Sequence, residues 1–190
     1  MNASTLLNFV FFQCVWFAAV VGAGGYDTHY FLFASVAALV VHISRQPTAR
    51  NDLMTGILAL CIGYLTDLLW VVFDVLSYPR DQLVPYWIGV LWFGLGASLN
   101  HSFALFKGWG WKGAIVVGAF APVTYLTGER FSAVSVLDLT NTAWISLSWF
   151  IIFIGLTAFS NWLPGGRVSK SNEPLKQSTR SGEIASPTNN

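Results

Sequence analysis

Polar residues interrupt this chain at intervals that leave long apolar runs between them, at about residues 6–23, 29–44, 53–77, 85–106, 111–128 and 140–161. A bilayer's hydrocarbon core is about 30 Å thick and needs roughly 20 apolar residues in helical form to cross it. Five of the runs reach that length. The run at 29–44, YFLFASVAALVVHI and its flanks, lies near the length at which a re-entrant segment competes with a full crossing. The pattern predicts an all-α, polytopic transmembrane helical bundle of six spans, the second of them weak, over residues 1–163. The polar stretch after LPGGR predicts a disordered cytoplasmic tail over 164–190, because it holds too few apolar residues to offset the entropy of ordering.

Composition supports the membrane reading. Of 190 residues, 54% are hydrophobic, 16% aromatic and only 10% charged, whereas soluble domains carry about 25% charged residues. A formal net charge of +1 offers no basic stripe to neutralise phosphates, so no nucleic-acid partner is expected. Cys14 and Cys61 both fall inside apolar runs, without metal-ligand spacing, and read as small hydrophobes. The segment MNASTLLNFVFF has no Lys or Arg ahead of its apolar run, so the first run is expected to stay as a spanning helix rather than be cleaved. The chain contains no phosphate-binding Walker loop, HExxH, nucleophile elbow or paired CxxC, which speaks against a soluble-type catalytic site.

Basic residues set the expected orientation, since cytoplasmic loops retain them. Arg45, Arg50, Lys107, Lys112, Arg167, Lys170, Lys176 and Arg180 share one side of the six-span frame, and only Arg80 and Arg130 fall on the other. Both chain ends are therefore expected in the cytoplasm. Tyr78, Tyr86 and Trp87 at one interface and Trp109, Trp111 and Trp162 at the other match the aromatic belts that anchor spanning helices.

The polar residues inside the runs carry the functional question. Even lenient insertion scales assign about 2.5–3.5 kcal/mol to a mid-helix Asp, and YLTDLLWVVFDVL contains both Asp67 and Asp74. On one helix they lie about 20° apart and roughly 10 Å apart along the axis, too far to share a proton. Asp67, near the middle, is the candidate proton or cation site, with the Tyr64 phenol about 60° away as a hydrogen-bond partner. Asp74, near the outer interface, reads as a structural partner in helix packing, and the alternative reading has both aspartates neutral or paired, holding their helix to its neighbours by interhelical hydrogen bonds. A second group, Asn100 and His101 with His42, Asn8 and the deeper Gln13, predicts a polar inner half able to hold a lipid headgroup or a cation. Two His on different helices also fit haem ligation, but a buried His is more often a bonded core residue, and no cofactor or metal is expected. Gly94, Gly96, Ala97 and Ser98, with Ala114 and Gly118, fit close small-xxx-small helix contacts, and Pro122 should kink the fifth run.

NFVFFQCVWFAAVVGAG, GYLTDLLW and LWFGLGASLNHSF together resemble a small bacterial inner-membrane family of unknown function, over about residues 5–163. The resemblance implies no established activity and no catalytic residues. It implies association with genes for membrane fatty-acid modification, including cyclopropane-fatty-acyl-phospholipid-synthase-like enzymes. The expectation is a multi-pass, non-catalytic or accessory inner-membrane component linked to lipid modification, with membrane lipids and membrane-protein or lipid-enzyme partners. A small proton-coupled transporter or lipid carrier using Asp67 is one alternative. A membrane-embedded lipid-modifying enzyme, with His101 as base and Asp67 as its electrostatic partner, is the other.

Overall fold

The computed structural model of the chain describes residues 3–79 and 83–164. Arg80 and residues 165–190 of the expected disordered tail, with Arg167, Lys170, Lys176 and Arg180, lie outside the described residues. Among those described, seven helices dominate: α1 (Ala3–Ala23), α2 (His29–Ser44), α3 (Ala49–Val72), α4 (Tyr86–Ala97), α5 (Ala104–Gly108), α6 (Trp111–Arg130) and α7 (Asn141–Trp162). One antiparallel bridge joins β1 (Leu76–Ser77) to β2 (Ser135–Val136).

The fold is all-α, but the expected six spans, the second of them weak, do not emerge as six membrane-length apolar helices. Three of the described helices, α1, α3 and α7, are long and apolar enough to cross a membrane. α2 has 16 residues and α4 has 12, while α6 has 20 but carries a more polar mix that includes Lys112 and Glu129. The helix expected across 85–106 stops at Ala97 and resumes at Ala104. The outward faces remain apolar. Only 33%, 33% and 22% of the most apolar windows of α1, α3 and α7 are buried inside the bundle, and Phe17, Leu65 and Ile151 point out of it. Apolar surface on that scale requires an apolar surrounding, so this is a membrane protein.

Consecutive helices pack as antiparallel pairs, α1 with α2, α3 with α4, and α6 with α7, and α3 also packs on α7 and α4 on α1. Directions follow from contacts at the ends. The Thr28 hydroxyl before α2 donates to the Ala18 carbonyl late in α1 at 2.7 Å, and Asn51 Nδ2 early in α3 donates to the Pro164 carbonyl after α7 at 2.5 Å. The bundle thus has a proximal end, holding the starts of α1, α3 and α6, and a distal end, where those helices finish. The expected small-residue contact is present where α4 crosses α3: a Cβ on Gly96 would sit 2.5 Å from the Ala59 Cβ and 2.6 Å from the Thr55 carbonyl, so only glycine allows that approach.

All three helices that run to the distal end close in the same manner. In α3 the Val75 N–H reaches the Trp70 carbonyl (2.8 Å) and the Asp74 N–H the Val71 carbonyl (3.2 Å), the paired bonds of a Schellman cap with Asp74 in the left-handed region at φ 55°. Ser132 plays that part after α6 and Gly25 after α1. This corrects the expected helix over 53–77: the chain turns at Phe73, and Asp74 leaves the Asp67 stripe to become an exposed cap residue. Its carbonyl accepts Asn141 Nδ2 at 3.2 Å. Because a β-branched residue is strained at positive φ, Asp74→Val is expected to lower stability by about 1 kcal/mol or more and Asp74→Gly to be tolerated. Thermal melting in detergent reads both, and equal melting of the two variants would contradict the cap.

The caps feed β1 and β2, which fold the chain back over the distal end. Tyr78 and Trp87, expected at an interface, are carried inward and buried, whereas Tyr86, Trp109, Trp111 and Trp162 stay exposed.

Candidate functional site

The break in the α4–α5 stretch builds the larger polar site. After Ser98, whose N–H still bonds the Gly94 carbonyl at 3.0 Å, the ladder gives way to tight turns: Leu99 N–H to Gly96, His101 N–H to Ser98, and Ala104 N–H to His101. On a continuous helix, adjacent residues point about 100° apart and do not share a partner. In this turn they do. Asn100 Nδ2 donates to Asp52 Oδ1 at 2.7 Å, and His101 Nε2 lies 2.8 Å from Asp52 Oδ2. The Thr48 hydroxyl donates to the same Oδ2 at 2.7 Å. Ser102 turns to α1, giving Asn8 Oδ1 its hydroxyl at 2.8 Å and its N–H at 3.3 Å.

Asn100 then relays to a cation. Its Oδ1 accepts Lys107 Nζ at 2.5 Å and the Ser160 hydroxyl at 3.0 Å, and Lys107 Nζ also donates to Ser160 at 2.8 Å. Asp52, Asn8 and Ser160 are wholly buried and Lys107 nearly so. A carboxylate and an ammonium in one low-dielectric site, bridged by a neutral amide, compensate each other while meeting their hydrogen-bonding needs. His42 stands at the rim, its ring centroid 6.3 Å from that of His101 and its Nε2 3.5 Å from the Ser4 hydroxyl. The network ties the proximal ends of α1, α3, α5 and α7 together.

Asp67 forms a separate site. Fifteen residues after Asp52 on the same helix, it lies about 22 Å away at 1.5 Å per residue, so the structure does not bring it to Asn100 and His101. Its carboxyl group is fully buried and collects aromatic donors: the Tyr78 hydroxyl on Oδ1, Trp92 Nε1 on Oδ2 at 2.7 Å, and the Tyr125 hydroxyl at 3.3 and 3.4 Å. Gly63, one turn before Asp67, makes the tryptophan bond possible. A Cβ there would lie 1.9 Å from the Trp92 ring, so any other residue would hold the indole off α3. Trp149 stacks on Trp92 at 4.5 Å, and Trp70 meets Tyr125 edge-on at 5.4 Å. Tyr64 is not a partner of Asp67. Its hydroxyl donates to the Val84 carbonyl at 2.7 Å and pins the connection into α4.

Gln13 joins neither group. It lines an apolar cavity of about 530 Å³ between α1, α4 and α6, whose wall includes Tyr78, Trp92 and Tyr125. Asp67 lies behind that wall.

Asp52, Lys107 and Ser160 escape a reading of the sequence alone. Asp52 stands directly before the first apolar residue of its run and looks like part of the cytoplasmic loop, yet an Asp in the first turn of a helix is a recognised start signal. Trp92 and Tyr125 hide among apolar neighbours. Their signal is chemical, since a buried indole N–H or phenol needs an acceptor.

The sequence matches, over residues 5–159, the profile of a family described as a protein of unknown function (DUF2878). The chain belongs to that family. Every member of the two polar groups apart from Ser4 and Ser160 falls within the matched residues. No curated protein and no solved structure matches the chain.

Proposed function

We propose that this protein is a multi-pass component of a bacterial inner membrane that serves membrane-lipid modification in a non-catalytic, accessory role. The observation that carries the reading is the fate of the buried polar groups. Asp52, Asn100, His101, Lys107 and Ser160 bond to one another, and with Ser102 and Asn8 they fasten α1, α3, α5 and α7 instead of facing an open polar pocket. Asp67 is likewise enclosed by three aromatic donors, which favours a bracing role over a proton-transport site.

Six traverses of the bundle support the multi-pass arrangement: α1, α2, α3, the α4–turn–α5 stretch over residues 86–108, α6 and α7. Arg45, Arg50, Lys107 and Lys112 gather at the proximal end, which the positive-inside rule assigns to the cytoplasm. The C-terminal end of α7 lies there too, as the Asn51–Pro164 bond requires. The motifs' resemblance to a family associated with fatty-acid-modifying genes supplies the partner class, an enzyme acting on phospholipid acyl chains.

Lipid profiling of a deletion strain tests this. The proportion of modified acyl chains is expected to change and to be restored by the wild-type gene. It is also expected to be restored by His101→Asn, which keeps an N–H toward Asp52 but cannot exchange a proton near neutral pH. An unchanged profile overturns the lipid role. Failure of His101→Asn to restore it, at normal membrane level, assigns the chemistry to this chain.

A further inference from the structure

The 530 Å³ cavity has the size of pockets that enclose a small ligand, roughly 300–1,000 Å³, and neither polar network uses it. Its floor is buried: Trp92, Leu95 and Val117 are at most 9% exposed. Its mouth is different. Phe9 on α1 and Phe120 and Val123 on α6 line the same cavity yet are 44%, 66% and 53% exposed. The opening therefore lies on the bundle's flank, between α1 and α6, and its apolar rim continues into the outward-facing surface of those helices.

The lining is drier than its composition suggests. Tyr78, Trp92 and Tyr125 each carry a polar atom, but all three direct it to Asp67 behind the wall. Thr124 and Thr127 return their hydroxyls to the Ala121 and Val123 carbonyls at 2.7 and 2.6 Å. Apart from the Gln13 side chain, what the cavity presents is mainly ring faces and aliphatic carbon. Such a space excludes water and accepts apolar matter, and with the flank in a bilayer the matter at its mouth is hydrocarbon.

We propose that this cavity binds one acyl chain of a bilayer phospholipid, admitted sideways between α1 and α6. The proposal rests on the reading that the helices span a membrane. It gives the accessory role a physical form, because a chain drawn out of the bilayer and held against a rigid wall is a chain that can be presented to an enzyme.

The test uses the full chain in vesicles of phosphatidylethanolamine and phosphatidylglycerol doped with a phospholipid bearing a diazirine on one acyl chain. After photolysis, adducts are mapped by mass spectrometry. Adducts are expected on the floor residues Trp92, Leu95 or Val117 as well as on the outward Leu147 and Ile151 of α7. Val123→Trp, at the exposed mouth, should cut floor adducts about tenfold, the affinity that roughly two buried methylene groups supply, while α7 adducts stay constant. Adducts confined to α7 overturn the cavity's role and leave the membrane reading standing, and adducts on no helix overturn both. Floor labelling that persists in Val123→Trp overturns entry between α1 and α6. Labelling by a diazirine fatty acid but not by the phospholipid overturns the choice of occupant.

Discussion

Asp52→Ala is expected to lower the stability of the purified protein by about 3–5 kcal/mol, the cost of removing one partner from a buried charge pair. At this chain length that corresponds to a fall in melting temperature on the order of 10 °C. The size of the effect follows from what the carboxylate holds. Interhelical hydrogen bonds in membrane proteins average about 0.6 kcal/mol, so the two bonds from Asn100 and His101, together with the local bond from Thr48 at the start of α3, would account for only about 2 kcal/mol. The remainder comes from Lys107, whose ammonium is buried against the Asn100 amide and loses the attraction of the Asp52 charge. Arg50, two residues away and exposed, is the control: Arg50→Ala should change stability by no more than about 0.5 kcal/mol. Melting in detergent, together with the level of each variant in membranes, decides the point. Equal melting of the two variants would show that the proximal network does not hold the bundle.

How far this was legible in the sequence depends on the element. The apolar run at 29–44 coincides with α2, and the bounds of α1, α6 and α7 differ from their runs by a few residues. Length and apolarity alone decide such ends. The errors fall where a polar residue has a tertiary partner. A reading that opens the third helix at the apolar Leu53 leaves Asp52 outside, though the helix starts at Ala49 because its polar first turn is sheltered by the α4–α5 turn. The same partner interrupts the fourth helix: Asn100 and His101 can both reach Asp52 only if the chain leaves the α-helical path, and no local signal in LGASLNHSF announces that. Asp74 illustrates the reverse case, a residue assigned to a helical stripe that local backbone chemistry removes from it. Asp67 was conspicuous as a charge among apolar residues. Its partners were not, because Tyr78, Trp92 and Tyr125 come from three separate elements.

Asp67→Leu is the second substitution with a large expected effect, about 2–4 kcal/mol. Three buried donors lose their acceptor, and an unsatisfied buried donor costs about 1–3 kcal/mol. The full sum is not reached because the three groups differ in freedom. The Tyr78 and Tyr125 hydroxyls rotate about their C–O bonds and can seek other acceptors. The Trp92 N–H is fixed in the plane of a ring held between Gly63 and Trp149, so it carries most of the loss. A double-mutant cycle with Trp92→Phe isolates that share, and a coupling within the 0.5–3 kcal/mol range of residues in direct contact is expected. Asp67→Asn keeps one carbonyl acceptor and should fall between the leucine variant and the wild type. The order matters for function, because a residue kept for proton transfer predicts normal melting and lost pH-dependent flux in Asp67→Asn, whereas a brace predicts graded melting from Asp to Asn to Leu. If the leucine variant melted like the wild type, the aromatic wall would not depend on Asp67, and the carboxyl group's burial among three donors would need a role in transport to explain it.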